Sequence, residues 1–549
     1  MKILVYLLTL TVLFCGHAAD LQQLSNDGKW KDLRTESEKI LESDTNSKRA
    51  AEAWSSLVIA LEELGEQAAY DPAFEKYVEK KYGKAPLFLA NANLTPAVSF
   101  GFIRDNKFFR GYNRGDGGRH VQTDDRDRVQ RLRLYAAALP DALALKDKQT
   151  RQDFFSKFIR ILLADRNGNQ SFKLQTKTDL TTLPDYQEEY IWSSSRPPVR
   201  EDGTPVFYSV PSSWETAKND GERFRYLCQV SENIRLYAEF LSEQFDFSAV
   251  DYSTKLEYQQ TEELRQALYD LKENATIAEL ADGVRKITMP PDSDYFAILH
   301  AAKAHSVLAR LYFERMQMEK AVEQYRLAKD QDAVKRLTGI WGAPSPVAVS
   351  AVKAPLTIPY SFRNAAGVNV RLYRVDSGKA VDFLLKNYRE NNPAWASRSL
   401  FDLPNAMNTW KNWQDVVEKT PYKTFTHKLD TPPHHWMGTG FLPFPETEKA
   451  GAWLAEIVPV DAQGRENTES TARSLIWIAD HTLLNVPGYN GIKFILAESG
   501  NGKAVKNGSV TVYQYFYQYG NRRARTKIDV QERVKTYTAD ERGIISIPE

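Results

Sequence analysis

Cysteine is almost absent from this chain of 549 residues, which contains only Cys15 and Cys228. A disulfide framework is therefore excluded, and the fold must be stabilised by packing. If Cys15 is removed with an N-terminal signal, Cys228 is the single thiol of the mature chain. Its apolar neighbours Leu227 and Val230 favour a small buried hydrophobic residue over a reactive thiol.

Net charge is also lacking, since 72 Lys and Arg residues balance 71 Asp and Glu residues. Such a chain has no overall field to attract nucleic acid or an anionic membrane, so we predict neither as a partner. The hydrophobic fraction of 42% and the aromatic fraction of 12% exclude a disordered protein. The length predicts several domains.

The apolar run at the N-terminus, Ile3 to Phe14, is too short to span a membrane, which takes about 20 residues. Lys2 precedes it, and the small residues Gly16, Ala18 and Ala19 follow. This pattern predicts a cleaved export signal over residues 1–19 and no membrane insertion after cleavage. A lipid anchor on Cys15 is the alternative, but Phe14 stands where such a signal has a small residue. We expect a periplasmic, cell-envelope or secreted protein.

Motifs for catalysis and metal binding are missing as well. The sequence has no His-Glu-x-x-His, no Gly-x-Ser-x-Gly and no phosphate-binding Gly-Lys-Ser/Thr loop. His434 and His435 are adjacent, so their side chains should point to opposite faces, and a surface loop is the better interpretation. Asp165 to Gln170 begins like a calcium loop, but Gln170 stands where the turn needs glycine.

We therefore predict that the protein is not an enzyme and has no catalytic, cofactor-binding or metal-binding residues. An exported hydrolase is a third hypothesis, but no nucleophile and base can be paired from the sequence.

From Asp20 to about Gly339, apolar residues recur at helical spacing. The residues that carry this pattern include Leu21, Leu24, Trp30, Leu33, Phe154, Phe155, Phe158, Ile159, Leu162, Ile234, Tyr237, Phe240 and Leu241. Arg49 to Gly65 is predicted to be a helix, and Thr276 with Glu279 is predicted to start another as a capping box. We predict a helical domain over residues 20–290, either a regular solenoid or an irregular bundle.

Residues 291–340 are predicted to form a tetratricopeptide-type helical hairpin. Small residues on two facing helices allow close approach of the backbones. One face comprises Ala297, Ala301, Ala304, Leu308 and Tyr312, and the other Met318, Ala321, Val322, Tyr325 and Ala328.

Two polar stretches interrupt the helices. Phe108 to His120 is rich in glycine and is interpreted as a structured loop, although its Arg114-Gly115-Asp116 is similar to the adhesion tripeptide that integrins bind. Asp179 to Pro211 is a second long loop or extended arm. The alternating charges of Asp124 to Arg128 are interpreted as a solvated helix face.

Beyond Ile340 the hydrophobic period changes to two. Pro355 to Asp376 is predicted to be a β-hairpin with Phe362 and Val370 turned inward. Gly451 to Ile457 alternates, and Leu475 to Ala479 is apolar throughout, as expected of a strand buried on both sides. The region Ser377 to Thr420 is an insertion with a helical stretch, Val381 to Asn387, and three tryptophans, Trp395, Trp410 and Trp413.

A stripe of tyrosines follows, formed by Tyr513, Tyr515, Tyr517 and Tyr519 on one face of a strand, with Val510 and Val512 on the other. Such a stripe stacks sugars or pairs with another strand, and a structural ladder inside a sandwich is the better interpretation.

The junction resembles the opening of bacterial alpha-2-macroglobulin family proteins. The resemblance is carried by Leu337-Thr338-Gly339-Ile340-Trp341-Gly342, by IPYSFRNAAGVNVRLYRVD with its Arg363-Asn364 turn, and by GAWLAEIVPVDAQG with SLIWIADHTLLN. At the end, AESGNGKAVKNGSVTVYQY and TADERGIISIPE resemble the next macroglobulin domain, with Ala539 as one extra residue in the Thr-Asp-x-x-Gly turn.

The resemblance implies an α+β multidomain protein in which a helical region precedes immunoglobulin-like macroglobulin β-sandwiches. A sandwich with the helical insertion would span residues 341–487, and a second one, of the MG2 type, residues 488–549. It implies the scaffold of an endopeptidase inhibitor that traps proteases, with proteases or other envelope proteins as partners.

The family's Cys-x-Glu-Gln thioester is absent, because neither Cys15 nor Cys228 is followed by Glu and Gln at the required positions. By itself the chain should not capture a protease. The alternative function is a non-enzymatic binding or adhesion module of the cell envelope that recognises a protein or polysaccharide.

The signal prediction has a direct test. In an exporting host, the mature protein should begin at Ala19 or Asp20, because the small residues at Gly16 to Ala19 form the exit of the signal. Intact-mass measurement and N-terminal sequencing of the exported protein check this. A mature chain that begins at a lipid-modified Cys15 would contradict it.

Overall fold

The computed structural model describes residues 20–112, 117–166, 168–187, 206–245, 262–280, 283–376, 378–380, 413–445, 449–486, 492–518 and 529–547. They form helices followed by mostly antiparallel sheets, so the predicted α+β class is confirmed. The chain divides into two compact units, Met1–Tyr252 with Asp270–Leu311 (unit 1) and Ser253–Tyr269 with Tyr312–Glu549 (unit 2).

The α-helices are α1 Leu21–Asn26, α2 Trp30–Ser43, α3 Ser47–Glu63, α4 Tyr70–Ala73, α5 Pro86–Asn91, α6 Asp124–Leu143, α7 Lys148–Leu162, α8 Asp220–Val230, α9 Ile234–Phe245, α10 Glu262–Tyr269, α11 Tyr295–Ala301, α12 His305–Glu314, α13 Met318–Leu327 and α14 Gln331–Thr338. A π-helix, Phe74–Tyr82, continues α4, and short 3-10 turns include Gln67–Ala69 and Trp413–Val416.

The strands are β1 Phe100–Arg104, β2 Lys107–Arg110, β3 Arg119–Gln122, β4 Ala275–Leu280, β5 Gly283–Thr288, β6 Trp341–Pro344, β7 Val347–Ala351, β8 Leu356–Arg363, β9 Gly367–Val375, β10 Lys423–Lys428, β11 Met437–Phe444, β12 Gly451–Val460, β13 Ala472–Ala479, β14 His481–Val486, β15 Ile492–Glu498, β16 Ser509–Gln518, β17 Asp529–Thr538 and β18 Ile544–Ile547.

Unit 1 is built on helices whose apolar faces the sequence pattern predicted. On α7 the predicted residues Phe154, Phe155, Phe158, Ile159 and Leu162 are all buried. Asn46 precedes helix α3 and caps its first turn, because its side chain accepts hydrogen bonds from the backbone N–H groups of Lys48 and Arg49. Cys228 on α8 is fully buried, as predicted.

Three local predictions in unit 1 are wrong. The stretch predicted as a loop contains β2 and β3, which pair with β1 in a three-stranded antiparallel sheet. Thr276 and Glu279 do not start a helix, because their segment is β4, whose backbone pairs with β5. Asp127 and Arg128 are buried, although their segment was predicted as a solvated face.

The predicted helix after Asp292 is two helices, α11 and α12, separated at Lys303, which has a positive φ of 51°. The break rotates the chain, so Ala304 and Leu308 are buried while Ala297 and Ala301 are exposed. The predicted apolar face is therefore buried only in its second half, from Ala304 onward.

Unit 2 contains a two-sheet β-sandwich. Five strands pair in the order β10-β9-β12-β13-β7, antiparallel except for β13 and β7, and three pair in the order β11-β8-β6. The predicted hairpin is wrong in its pairing, because β8 and β9 lie in different sheets. The chain turns at Asn364 (φ 55°) and crosses from one sheet to the other.

Both strands still present their apolar faces to one core, as predicted, with Phe362 and Val370 only 2% and 1% exposed. The buried members of this core are Ala348, Ile358, Tyr360, Phe362, Ala365, Val368, Val370, Leu372, Leu442, Phe444, Trp453, Ala455, Ile457, Ile476 and Ile478. Burial of these apolar side chains is the main stabilising term of the sandwich.

The aromatic rings of the core lie over glycines of neighbouring strands. A Cβ placed on Gly342 would lie 1.8 Å from the hydroxyl oxygen of Tyr360, and one on Gly438 would lie 2.6 Å from a ring carbon of Phe362. Both positions therefore require glycine, since native cores have no spare room for such atoms.

The five-stranded sheet is buried on its other face too. Leu475 packs into a second cluster while Ile476 packs into the first, so β13 is buried on both sides as predicted. Trp413, from the predicted insertion, covers this second face and contacts Tyr373 edge-on at 5.5 Å between ring centroids. Val381 to Asn387, Trp395 and Trp410 lie outside the described residues.

The remaining strands form two smaller antiparallel sheets, β14-β15-β18 and β16-β17. Their core includes Ile545 and Ile547, with Val510 and Val512 packed against it. Strand β14 pairs with β15 in the first of these sheets. Of the helices in the described part of the chain, none combines the length and hydrophobicity that a bilayer-spanning segment requires.

The sandwich core predicts a specific difference between two phenylalanines. Phe362→Ala should lower the free energy of unfolding by about 3–5 kcal/mol, because it leaves a cavity between the sheets. Phe441→Ala is the matched control, since Phe441 on β11 is 66% exposed and its loss should change stability by less than about 0.5 kcal/mol. Urea unfolding followed by tryptophan fluorescence measures both, and equal effects would contradict the core assignment.

Candidate functional site

The loop between β10 and β11 forms a polar site in the described part of unit 2. Its segment Thr431 to Trp436, here called the latch, lies against helix α10, helix α13 and the turn before α13. Pro432 and Pro433 restrict the backbone at the start of the latch. The next two residues, His434 and His435, both have a positive φ, 59° and 57°. That backbone is unfavourable for residues other than glycine, so the contacts of the two histidines must stabilise it.

Trp436 is the apolar anchor of the latch and is 4% exposed. Its indole N–H donates to the carbonyl oxygen of Met316 at 2.8 Å, in the turn before α13. The Tyr269 ring of α10 meets it edge-on, at 5.8 Å between centroids. The ring is therefore both packed and hydrogen bonded, as buried tryptophans require.

The two histidines bond to different partners. The Nδ1 of His434 lies 2.7 Å from a carboxylate oxygen of Glu319 on α13, and its ring lies 4.0 Å from that of Tyr269. The Nδ1 of His435 lies 2.8 Å from the amide oxygen of Asn364. The two adjacent histidines therefore bond to separate partners, Glu319 and Asn364.

Asn364 connects the latch to the end of α14. Its side-chain N–H groups donate to the carbonyls of Leu337 and Gly339, both at 2.9 Å. Its amide oxygen is therefore the acceptor toward His435, so the Nδ1 of His435 carries a proton. These two carbonyls lie at a helix C-terminus, where the helix itself offers them no donor.

Further bonds surround this centre. Arg363 donates to the backbone carbonyl of His435, and Arg265 of α10 donates to that of Met437 at 3.1 Å. Gln317 donates to the carbonyl of Tyr269 at 2.7 Å, which ties α10 to the turn before α13. Together these contacts hold three helices against one edge of the sandwich.

Unit 1 contains a second polar cluster, centred on Arg110 of β2, and no pattern in the sequence indicated it. Its guanidinium bonds both carboxylate oxygens of Asp71, at 2.8 and 3.0 Å, and both of Asp127, at 2.8 and 2.9 Å. Burial by itself lowers the pKa of Arg110, but the bonds to Asp127 and Asp71 outweigh it and raise that pKa above its ordinary value. Charge alternation along α6 gave no sign of this, because Arg110 comes from a distant strand.

Cys228, the thiol that the sequence singled out, lies buried in α8. Burial raises the pKa of the Cys228 thiol, which keeps it protonated and unreactive. Within the described ranges, no group of three or more His, Cys, Asp or Glu side chains is placed to hold a metal ion. Residues 1–19, Arg114 to Asp116, Tyr519 and the side chains of Tyr513, Tyr515 and Tyr517 lie outside the described residues.

Neither a protein-family model nor a curated protein matches this sequence. Part of the chain has weak structural neighbours in the native alpha-2-macroglobulin of Escherichia coli. Its crystal structure spanning domains MG0-NIE-MG1 aligns with 15% identity and a TM-score of 0.25, over 38% of this chain and 57% of that one.

A crystal structure of the same E. coli protein spanning NIE-MG1 aligns with 13% identity and a TM-score of 0.25, over 38% of this chain and 87% of that one. Its cryo-EM reconstruction in the native conformation aligns with 16% identity and a TM-score of 0.23, over 38% and 11%.

From these contacts we predict that Asn364 stabilises the protein through its side-chain amide and not through its left-handed backbone conformation. Asn364→Gly keeps the left-handed turn available but removes three hydrogen bonds, so it should destabilise the protein by about 1–3 kcal/mol. Asn507→Gly is the matched control, because Asn507 has the same φ, 56°, in an exposed turn. Urea unfolding midpoints compare the two, and similar shifts would show that the amide bonds contribute nothing.

Proposed function

We propose that this protein is an exported, non-enzymatic scaffold of the alpha-2-macroglobulin type, the helical and early sandwich part of a protease trap. The observation that carries the proposal is the sandwich of unit 2. The segment that resembles the family's first macroglobulin domain, Ile358 to Asp376, supplies one strand to each sheet and the facing residues Phe362 and Val370 of the shared core.

A trap of this kind works by rearranging whole domains after a protease cuts a bait segment, so its domains must move as rigid bodies. The latch supports such behaviour within unit 2. Trp436, His434 and Asn364 tie the edge of the sandwich to α10, α13 and α14 through directed hydrogen bonds and ring contacts. A movement of these helices would carry the sandwich with it.

The outer face of the three-stranded sheet supports a place in an array of sandwiches. Trp341 is 38% exposed and Phe441 is 66% exposed. Trp341, Pro359 and Met437 border a shallow cavity of about 320 Å³ on this face. Exposed apolar side chains grouped in this way are typical of surfaces that pack against another domain.

The proposed role involves no covalent capture by this chain. Cys228 lacks the Glu and Gln that the family's thioester requires, and its thiol is buried. The proposed partners are proteases or other envelope proteins, and the proposed location is the periplasm, the cell envelope or the extracellular space.

Protease trapping has a distinctive assay. The complete gene product, mixed with an equimolar amount of trypsin, should slow the hydrolysis of a large protein substrate about tenfold or more while hydrolysis of a small peptide substrate continues. The reason is that a trapped protease keeps its active site but is shielded from large molecules.

Trypsin, chymotrypsin and elastase should be tested in turn, because a bait segment is specific to the proteases that cut it. Unchanged hydrolysis of the large substrate by all three, in the presence of the complete product, would overturn the proposal. Equal loss of both activities would indicate an ordinary active-site inhibitor instead.

A further inference from the structure

Two Asn-Gly steps lie between β15 and β16 in unit 2, Asn501-Gly502 and Asn507-Gly508. An asparagine followed by glycine is prone to deamidation, because glycine has no Cβ to hinder attack by its own backbone nitrogen on the asparagine side chain. Asn167 and Asn490, which also precede glycines, lie outside the described residues. Both described asparagines are exposed to solvent. Their steps are alike in sequence, so their hydrogen bonds distinguish them.

The side-chain amide of Asn501 is held on both sides. Its Nδ2 donates to a carboxylate oxygen of Glu498 at 2.7 Å, and its Oδ1 accepts from the backbone N–H of Lys503 at 2.8 Å. The backbone N–H of Gly502, whose nitrogen would have to attack, donates to the carbonyl of Glu498 at 2.9 Å. Deamidation at Asn501 requires these bonds to break, which raises its activation barrier.

Asn507 lacks these restraints. Among the described residues, neither its side-chain amide nor the backbone N–H of Gly508 has a hydrogen-bond partner. Gly508 is bonded only through its carbonyl, which accepts from the N–H of Ala539 at 2.8 Å. The two groups that must react are therefore not held apart by other bonds, as they are at Asn501.

We propose that Asn507 is a site of spontaneous deamidation and that the fold protects Asn501 from the same reaction. The backbone nitrogen of Gly508 loses its proton to solvent and forms a bond to Cγ of Asn507. The bond between Cγ and Nδ2 breaks, and the leaving nitrogen takes up a proton and departs as ammonia. Water then opens the resulting succinimide at one of its two ring C–N bonds. The product is an aspartyl residue, or an isoaspartyl residue whose main chain runs through Cγ.

Either product changes the chain at the start of β16. Both add a carboxylate next to Lys506, whose ammonium already pairs with Glu541 at 2.9 Å. The isoaspartyl product also inserts a carbon into the main chain directly before Gly508. There is little room for a shift, since a Cβ on Gly508 would lie 2.4 Å from Cδ2 of Leu496. Because Ser509 begins the pairing of β16 with β17, this product weakens the start of that sheet.

Peptide mapping by mass spectrometry tests the proposal on the folded protein during incubation in mildly alkaline buffer, and it measures both sites in one sample. Deamidation at Asn507 should be about tenfold or more faster than at Asn501, because the barrier at Asn501 includes the loss of its hydrogen bonds. Enzymatic methylation of isoaspartyl carboxylates identifies the isoaspartyl product. It should label the peptide that contains Asn507 and not the peptide that contains Asn501.

The unfolded chain is the matched control. In concentrated guanidinium chloride the two sites should deamidate at similar rates, because both steps are Asn-Gly and neither keeps its native hydrogen bonds. Glu498→Ala tests the protection in the folded state. It removes the bond from Nδ2 of Asn501, so the rate at Asn501 should rise about three- to tenfold while the rate at Asn507 stays the same. Glu498→Gln keeps an acceptor oxygen and should retain slow deamidation at Asn501.

Circular dichroism establishes that both variants are folded. The proposal is overturned if Asn507 stays unmodified in the folded protein, or if Asn501 deamidates there as fast as Asn507. It is also overturned if the difference between the two sites persists in guanidinium chloride, which would assign it to neighbouring residues and not to the fold. An unchanged rate at Asn501 in folded Glu498→Ala would overturn the assigned protection.

Discussion

The sandwich of unit 2 depends on the burial of two facing strands that are joined by only three residues. Strands β8 and β9 are consecutive in the chain, yet each belongs to a different sheet, and their apolar faces meet in one core. The turn between them therefore fixes the spacing of the two layers. Ala365 in this turn is fully buried, and its carbonyl accepts a hydrogen bond from the hydroxyl of Thr431.

The same turn makes the latch possible. Asn364 satisfies two carbonyls at the end of α14 and orients His435, so one side chain serves the helix terminus and the loop at once. The indole N–H of Trp436 likewise donates to the carbonyl of Met316. Buried carbonyls without donors are costly, and both contacts remove that cost while joining helix and sandwich.

In unit 1 the Arg110 cluster allows a charged side chain to be buried. A buried guanidinium is unfavourable unless charged partners surround it, and here Asp71 and Asp127 each bind it through both oxygens. Its Nη1, which bonds Asp127, also lies within hydrogen-bond distance of the carbonyl of Val98 and the hydroxyl of Thr123. Such a cluster fixes one arrangement of sheet and helices.

Sequence patterns identified strands and helices wherever burial follows a simple period. The inward positions of Phe362 and Val370, the two-sided burial of β13 and the apolar face of α7 were all predictable, because each is a property of a single segment. Two local signals failed. Thr276 lies in β4, which pairs with β5 in a hairpin, and the charged start of α6 is drawn inward by Arg110 from a distant strand.

The sequence by itself determined the α+β class and the change of period near residue 340, because periodicity is a local property of the chain. Only the tertiary structure decided that β8 and β9 pair with other strands and that two histidines and a tryptophan form a latch. Those features arise from contacts between residues far apart in the chain, and alternation along one strand is the same whichever neighbour that strand pairs with.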